Sequence, residues 1–411
     1  MAKWLENPDI LIVGAGPSGA IAGALLARKG YSVMTLEKQT FPRFSIGESL
    51  LPQCMEFIEE AGMLEAVNNA GLQYKNGAAF RRGDTYTDFD FSEKFTPGWG
   101  NTFQVQRAGF DKLLADESAK SGNNIFYEQE IIAVTPDAQQ PSAVSRAIDG
   151  SEKTVRAKFI LDASGFGRVL PRLLNLNKPS EFPVRQAYFT HVMDNIEPSE
   201  FDRHKILVSV HPEFKDVWFW LIPFAGGRCS LGVVASQAFL DRYPEDPEIK
   251  LRQLVKETPA LQHLLRNAEY AMPVRSIVGY AADVTSLYGQ GYALLGNAGE
   301  FLDPVFSSGV TIAMKSASMA ANLLDRQLQG GSVDWQTEYA KPLQAGVNAF
   351  RMFVEAWYDG RFQDIIFYQG QSPEIRGMIC SILAGYAWDQ KNPYVSEPRR
   401  LNTLAEICRS N

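Results

Sequence analysis

A glycine-rich turn near the N-terminus constrains the fold of this 411-residue chain more than any other feature. The turn, GAGPSG, contains Gly14, Gly16 and Gly19 and lies between an apolar run and an alanine-rich stretch of helical character. The first glycine permits a tight turn, the second lets the backbone approach a pyrophosphate, and the third allows close helix-to-strand packing. Glu37 closes the next apolar run, where a carboxylate accepts hydrogen bonds from ribose hydroxyls. The sequence therefore predicts a Rossmann-type β-α-β unit that binds a dinucleotide.

The overall composition is that of an ordinary globular protein. Forty basic and forty-seven acidic residues give a formal net charge of −7, which disfavours a general nucleic-acid or anionic-membrane surface. No signal peptide or membrane span is indicated, so we expect a cytoplasmic protein with neither a nucleic acid nor a membrane as partner. The cysteines lack metal-binding spacing and are expected to be reduced thiols, with no metal site, at Cys54, Cys229, Cys380 and Cys408.

The order of strand and helix patterns indicates a discontinuous nucleotide-binding domain. Strand-like and helical runs typical of such a domain return late in the chain, after a long stretch that is rich in strands. Residues 247–267 within that stretch are expected to form a helix, and the pattern after residue 333 is helical and aromatic. The expected division is a nucleotide-binding domain at 1–70, 101–175 and 285–330, a substrate domain at 71–100 and 176–284, and a helical C-terminal region at 331–411.

Three later motifs indicate which dinucleotide binds. Arg107 lies in QRAGFDKL, Asp162 in DASG and Asn297 in GNAG, a trio that resembles the signatures of the aromatic hydroxylase and halogenase class of FAD enzymes. The resemblance implies an α/β fold: a Rossmann-type FAD-binding domain of that class, a sheet-based substrate domain and a helical C-terminal region. It also implies that Arg107 lies over the flavin-side phosphates, that the GNAG motif holds the ribityl chain, and that Asp303 belongs to the FAD site. Many members carry aspartate where this chain has Asn297, whose amide still bonds a hydroxyl.

Further segments resemble the FADH2-dependent halogenases along nearly the whole chain. Residues 41–52, FPRFSIGESLLP, are similar to the flavin strap, a mobile loop of that family. The resemblance implies that Gly47, Glu48 and Ser49 form its hinge and contact the cofactor. WFWLIP, which contains Trp218 and Trp220, fits the family pattern W-x-W-x-I-P, and FLDPVFSSG fits F-x-x-P-x-x-S-x-G.

Halogenase chemistry gives these segments distinct roles. Such an enzyme uses oxygen and reduced flavin to oxidise halide, then delivers the hypohalous acid to a separate substrate pocket. The resemblance implies that Trp218 and Trp220 separate substrate from flavin, although one buried face of a strand is equally compatible with their spacing. A helix that opens at Gly309 offers the backbone N–H groups of Ser308 and Gly309 to a halide ion. An ordinary helix cap is the alternative for that segment.

Lys75 is the candidate for the group that captures or guides hypohalous acid. Its place between the strap and the following strand resembles that of the family's catalytic lysine. An ammonium can hydrogen-bond hypohalous acid, whereas a desolvated amine can form a haloamine, and burial lowers the pKa of lysine. A solvated surface charge is the alternative.

Phe306 bears on the substrate. Family members that halogenate tryptophan have a glutamate at this position, so the resemblance implies a ring that is already activated, such as a pyrrole on an acyl carrier protein or a phenol. The resemblance also implies that a bound chloride or bromide ion is the source of the halogen. A flavin reductase is expected to supply FADH2. Four basic residues are candidates for contact with an acidic carrier: Lys38, Arg43, Arg81 and Arg82.

Two other functions share the predicted scaffold. A single-component aromatic hydroxylase has the same flavin motifs and is distinguished by rapid reduction of FAD by NADPH alone. An isoprenoid reductase of the geranylgeranyl type would need an apolar substrate tunnel and usually contacts a membrane.

Overall fold

The computed structural model describes residues 3–370 and 372–410, so the two outer limits of the expected domain division, residues 1 and 411, lie outside it. Its strands are β1 (Ile10–Val13), β2 (Val33–Leu36), β3 (Gln73–Lys75), β4 (Gly77–Arg82), β5 (Thr85–Asp90), β6 (Thr102–Gln104), β7 (Asn124–Phe126), β8 (Gln129–Thr135), β9 (Ser142–Ala147), β10 (Glu152–Arg156), β11 (Phe159–Asp162), β12 (Asn177–Lys178), β13 (Arg185–Met193), β14 (Lys205–Val210), β15 (Trp218–Phe224), β16 (Arg228–Ser236), β17 (Glu269–Tyr270), β18 (Arg275–Val278), β19 (Asp283–Val284), β20 (Tyr288–Gly289) and β21 (Tyr292–Leu294). Its helices are α1 (Pro17–Arg28), α2 (Cys54–Glu60), α3 (Leu64–Asn68), α4 (Arg107–Lys120), α5 (Val169–Leu173), α6 (Gln237–Leu240), α7 (Pro247–Lys256), α8 (Pro259–Leu264), α9 (Ser308–Leu328), α10 (Lys341–Tyr358), α11 (Arg361–Phe367), α12 (Pro373–Leu383), α13 (Pro393–Ser396) and α14 (Arg400–Ser410).

A six-stranded sheet carries the glycine-rich turn. Its order is β20-β21-β11-β1-β2-β7, and every pair except β20–β21 is parallel. Strands β1, β2 and β11 are apolar over nearly their whole length because both faces of a parallel sheet are covered. The turn between β1 and α1 lies at the carboxyl edge of this sheet, where ligands bind in open α/β folds. This arrangement confirms the predicted Rossmann-type α/β unit.

An eight-stranded sheet stands beside it. The order is β17-β13-β16-β15-β14-β4-β5, with β18 also paired to β13, and only β14 and β4 run parallel. Strand β15 is buried along its entire length. Trp218, Trp220 and Ile222 join the large core shared with the nucleotide-binding unit, whereas Phe219 and Leu221 pack into a second core with α7 and α8. The two tryptophans therefore face the nucleotide-binding unit.

The C-terminal helices close the molecule over the first core. Helices α10 and α11 contribute aromatic side chains to it, among them Phe350, Phe353, Trp357 and Phe362, all fully buried. The expected helix at 247–267 is two helices, because Pro259 lacks a backbone N–H and begins the second one. The strands of the two sheets fall within the expected segments, and the exact domain limits remain a prediction.

Among the described residues, no helix has the length and apolar character needed to cross a membrane. No group of three or more His, Cys, Asp or Glu side chains in this part of the chain has the geometry to hold a metal ion. The cysteines are unpaired and buried.

The position of Trp220 depends on a glycine in the neighbouring strand. Gly232 of β16 is the cross-strand partner of Trp220, and a Cβ atom there would lie 2.2 Å from Cζ2 of the indole. We predict that Gly232→Ala lowers the free energy of unfolding by about 2 kcal/mol, because the core must shift to admit the methyl group. Urea denaturation measures this loss. In the matched control Gly109→Ala, the new methyl group in α4 meets nothing within 4 Å and stability should be unchanged or higher. Equal stability of the two variants would contradict the packing described for Trp220.

Candidate functional site

A cavity of about 680 Å³ lies between the glycine-rich turn and β15. The strap, residues 41–52, forms one wall, and the loop before α9 forms another. Eleven residues selected from the sequence line it together: Gly14, Gly16, Glu37, Gly47, Glu48, Ser49, Arg107, Trp218, Trp220, Asn297 and Gly309. Six others lie one layer behind the wall: Gly19, Lys75, Asp162, Asp303, Phe306 and Ser308.

The glycine-rich turn divides into structural glycines and one that leaves room for a ligand. A Cβ atom on Gly19 would lie 2.0 Å from the carbonyl oxygen of Gly14, so only glycine lets α1 pack here. A Cβ atom on Gly16 would approach only the Arg43 guanidinium, at 3.5 Å, and would otherwise extend into the cavity. The N-terminus of α1 points its free N–H groups to the same place, which suits a pyrophosphate.

Glu37 is fixed for ribose recognition by its own backbone surroundings. Its Oε2 accepts a hydrogen bond from the Ala15 N–H at 2.9 Å, and its Oε1 accepts one from the Gln39 N–H at 2.9 Å. The carboxylate lines the cavity beside Lys38, whose amine pairs with Glu130 at 2.7 Å.

The strap is tied to α4 by a buried ion-pair network. Arg107 donates from Nε and Nη2 to both carboxylate oxygens of Asp111, at 2.6 and 2.9 Å, and from Nη1 to the Ile46 carbonyl at 2.6 Å. Arg43, in the strap itself, donates to the same Asp111 carboxylate at 2.9 Å. Gly47 has a φ of +98°, and a Cβ atom there would lie 3.0 Å from Nη1 of Arg107, so the strap needs glycine at this point. Arg107 thus holds the strap as well as lining the cavity.

A second attachment joins the strap to the eight-stranded sheet. Oε1 of Glu48 and Nε2 of His191 in β13 are 2.6 Å apart, and both side chains are buried. Phe44 stacks on Phe189 of the same strand, with ring centroids 6.0 Å apart and planes 8° apart. Sequence reasoning missed His191, because a single histidine in an apolar strand gives no signal of its partner.

The loop before α9 offers donors and one free acceptor to the cavity. Ser307 precedes the helix with a φ of +55° and provides no side-chain cap, so the first N–H groups of α9 are available to an anion. Ser307 and Gly309 line the cavity, with Ser308 between them buried. The Oδ1 atom of Asn297 is buried without a hydrogen-bond partner and belongs to the same wall.

The carboxylates of Asp162 and Asp303 accept hydrogen bonds from other groups of the protein. Asp162 accepts hydrogen bonds from the N–H groups of Ser164 and Leu170, at 2.9 and 2.7 Å, and so shapes the turn after β11. Asp303 accepts from the Val305 N–H at 3.0 Å and from the hydroxyls of Tyr280 and Tyr358. Burial raises the pKa of both carboxyls. Each aspartate therefore supports a loop of the cavity wall from behind.

Lys75 lies behind the strap, with no exposed surface. Its Nζ donates to Oγ of Ser49 at 2.8 Å and to the carbonyl oxygen of Leu50 at 2.7 Å, and Ser49 in turn lines the cavity. Burial lowers the pKa of Lys75 to about 7, opposed by the nearby Cys54. The nitrogen also lies 5.4 Å from the ring centroid of Phe91. The alternative of a solvated surface charge is excluded by this burial.

The two indoles line the cavity, and Phe306 lies in the aromatic core behind it. The Trp218 and Trp220 ring centroids are 5.9 Å apart, and both rings line the cavity. Phe306, on the far side of the loop, packs edge-to-face against Phe362 and Trp357, with centroid distances of 5.3 and 6.0 Å. Phe306 therefore lies in a cluster of aromatic side chains that also includes Phe353.

The residues of the cavity fit FAD. The space beside Gly16 suits a pyrophosphate, the Glu37 carboxylate suits a ribose, and the unpartnered Oδ1 of Asn297 suits a ribityl hydroxyl. The apolar end, at Phe189, Trp218 and Trp220, suits a flat ring system.

Comparison with known proteins agrees with this geometry. A family model described as FAD binding domain matches residues 7–341. A 1H-pyrrole-2-carbonyl-[peptidyl-carrier protein] brominase of Pseudoalteromonas luteoviolacea is 28% identical over 93% of each chain. A tryptophan 2-halogenase of Chondromyces crocatus is 30% identical over 86% of this chain and 68% of that protein.

Among solved structures, a flavoprotein/dehydrogenase from Cytophaga hutchinsonii superposes with a TM-score of 0.95 at 42% identity. The match covers 98% of this chain and 99% of that one. The family-model match and the halogenase relatives, together with the strap, the paired indoles and the buried lysine, lead to one assignment. The chain belongs to the FAD-dependent halogenases, oxidoreductases that use FAD and halide.

Proposed function

We propose that this halogenase attaches chloride or bromide to a pyrrole ring held on an acyl carrier protein. The observation that carries the proposal is the buried Lys75, hydrogen-bonded to Ser49 at the wall of the flavin cavity. Reduced FAD, when bound, supplies with oxygen the oxidising equivalents that convert halide into hypohalous acid. The residues of this chain then determine where the oxidised halogen goes.

Halide binds first, at the N-terminus of α9. The free N–H groups around Ser308 and Gly309 and the positive end of the helix dipole hold an anion without a competing counter-charge. Trp218 and Trp220 line the same cavity, and their indoles keep the substrate ring away from the flavin. Direct attack of the ring at the flavin, which would give hydroxylation, is prevented.

Lys75 transfers the halogen as a neutral amine. With a pKa of about 7, Lys75 carries no extra proton in a large fraction of the molecules at neutral pH. The lone pair of that neutral amine can attack the halogen of hypohalous acid. An N–halogen bond forms, the O–halogen bond breaks, and water leaves with one amine proton. The pyrrole carbon then attacks the halogen, the N–halogen bond breaks, and the ring proton restores the amine.

The surroundings of Phe306 favour an activated ring. A pyrrole or phenolate attacks electrophilic halogen without a carboxylate to stabilise the cationic intermediate, and the aromatic packing of Phe306 supplies none. The brominase relative is named for a pyrrole on a peptidyl-carrier protein, which supports the pyrrole over the phenol. The other relative is named for tryptophan, so tryptophan is one of the substrates to be assayed.

Two protein partners follow from the proposal. A flavin reductase supplies FADH2, and NADPH alone should leave the FAD oxidised in stopped-flow mixing. An acidic carrier docks near basic side chains. Among the four candidates, Arg43 is neutralised by Asp111 and Lys38 by Glu130, which leaves Arg81 and Arg82 as the better choices. Arg82 is 3.9 Å from Asp364, a weaker pair.

Because burial lowers the pKa of Lys75, the free energy of unfolding should depend on pH. Between pH 7 and about 10 the unfolded chain binds a proton at Lys75 that the folded protein does not, so the free energy of unfolding rises with pH. In Lys75→Met this contribution is absent. We predict that, between pH 7 and pH 9, the free energy of unfolding of the unsubstituted protein rises by about 2 kcal/mol relative to that of Lys75→Met. Urea unfolding of both proteins at pH 7, 8 and 9 measures the difference. A constant gap would mean that Lys75 is protonated throughout.

Lys75→Met is also expected to separate flavin chemistry from halogenation. Because Lys75 acts after halide oxidation, the variant should oxidise FADH2 at an unchanged rate and form at least about 100-fold less halogenated product. Oxygen consumption and product mass spectrometry measure the two quantities. Lys250→Met is the matched control, since Lys250 is also buried but contacts Tyr188 in the second core. Loss of FAD binding, or product near the control level, would contradict the role given to Lys75.

The substrate is tested by direct competition. With chemically reduced FAD, oxygen and either chloride or bromide, we expect halogen isotope patterns on pyrrolyl-loaded carrier protein and little on free pyrrole-2-carboxylate, phenols or tryptophan. Intact-protein mass spectrometry and chromatography detect the two kinds of product. Halogenation of a free phenol without turnover of the loaded carrier would overturn the carrier proposal. Efficient halogenation of tryptophan would overturn the argument from Phe306.

A further inference from the structure

The two wall tryptophans are held in different ways. The Trp220 N–H donates to Oγ of Ser230, on the neighbouring strand of the same sheet, at 3.0 Å. The Trp218 N–H donates instead to the hydroxyl of Tyr358, the last residue of α10, at 3.0 Å. The orientation of Trp220 is therefore fixed within its own sheet, whereas that of Trp218 depends on the C-terminal helical region.

The Tyr358 hydroxyl accepts one hydrogen bond and donates another. An indole N–H can only donate, so the Tyr358 oxygen accepts from Trp218 and its own proton is free to be donated. It goes to Oδ2 of Asp303, 2.8 Å away. Burial raises the pKa of Tyr358 well above its usual value, so the hydroxyl keeps this proton throughout the range in which the enzyme can be assayed.

Asp303 connects the chain of hydrogen bonds to residues 303–309, the loop before α9 and its first two residues, which we call the halide loop. It begins the segment that contains Pro304, Ser307 and Gly309, all of which line the flavin cavity. Its Oδ1 accepts from the Val305 N–H, and its Oδ2 also accepts from the Tyr280 hydroxyl at 3.1 Å. Rotation of Asp303 would thus disturb the loop, and loss of its Tyr358 partner would leave only Tyr280 on that oxygen.

The Tyr358 ring packs against a guanidinium group. The guanidinium carbon of Arg185 lies 3.5 Å from the ring centroid, a close cation–π contact, and the Arg185 side chain is oriented by Asp216 at 3.5 Å. Trp218, Asp303 and Arg185 come from β15, the halide loop and β13, so Tyr358 is the one residue in this group that touches all three.

We propose that Tyr358 is a positioning residue for halogenation, which fixes the Trp218 indole relative to the halide loop and so keeps oxidised halogen from escaping before it reaches the substrate. The inference rests on the proposed function. Tyr358 does not touch the reacting atoms and acts only through Trp218 and Asp303. Its loss should therefore affect the coupling of flavin oxidation to product, and should leave flavin oxidation itself unchanged.

Tyr358→Phe removes the hydroxyl and keeps the ring. We expect the ratio of halogenated product to oxidised FADH2 to fall about fivefold, the size of a lost hydrogen bond, with a matching rise in free hypohalous acid trapped by monochlorodimedone. The matched control is Tyr339→Phe, which removes another buried hydroxyl of the C-terminal region, bonded to the Leu294 carbonyl at 2.6 Å. The control should keep the coupling of the unsubstituted enzyme. Equal coupling in both variants overturns the proposal.

A double substitution tests whether Tyr358 acts through the indole. Trp218→Phe removes the N–H donor, so adding Tyr358→Phe to it should lower the coupling ratio by much less than fivefold, because only the contact with Asp303 is then left to lose. A further fivefold fall in the double variant would overturn the proposed route. Failure of the proposed function has a different signature, since the unsubstituted enzyme would then yield no halogenated pyrrole, whether or not hypohalous acid is trapped. Thermal unfolding of each variant identifies any loss of coupling that follows from loss of fold.

Discussion

The contact between the Lys75 amine and the flavin strap is the interaction on which the site depends. A lysine nitrogen without solvent needs acceptors, and Ser49 and the Leu50 carbonyl provide them from the strap. The strap must therefore lie against β3 for Lys75 to be buried, and burial is what brings its pKa near 7. The same contact joins the flavin side of the molecule to the aromatic core, because Ser49 lines the cavity while Lys75 lies behind it. Halogen transfer therefore depends on this contact, whereas the strap keeps its attachments to Asp111, Arg107 and His191 when Lys75 is replaced.

The rest of the site keeps that contact in place from two directions. Arg107 of α4 holds the strap at the Ile46 carbonyl and Asp111 holds it at Arg43, while Glu48 with His191 holds it to the eight-stranded sheet. These are buried charged or polar pairs, which contribute little net stability but leave a large penalty when one partner is lost. They specify one position of the strap and are absent from any arrangement in which the strap moves away.

The sequence predicted the fold and most of the cavity wall because short motifs determine both. The GAGPSG turn requires close packing at Gly19 and leaves space at Gly16, and both follow from the absence of a Cβ atom. Short motifs do not predict contacts between residues that are far apart in the chain. Nothing near His191 or Tyr358 in the chain indicates that each would meet a site residue more than 130 positions away. A proline also broke the helix expected at 247–267.

The central claim is that oxidised halogen resides on Lys75 between flavin chemistry and substrate halogenation. It is tested by separating the two steps in time: the enzyme is mixed with FADH2, oxygen and bromide, freed of flavin and halide by rapid gel filtration, and only then given substrate. We predict brominated product from the flavin-free protein, in an amount approaching one per chain, and none from Lys75→Met. Product formed equally by both proteins, or by neither when the one-step reaction succeeds, would contradict the account.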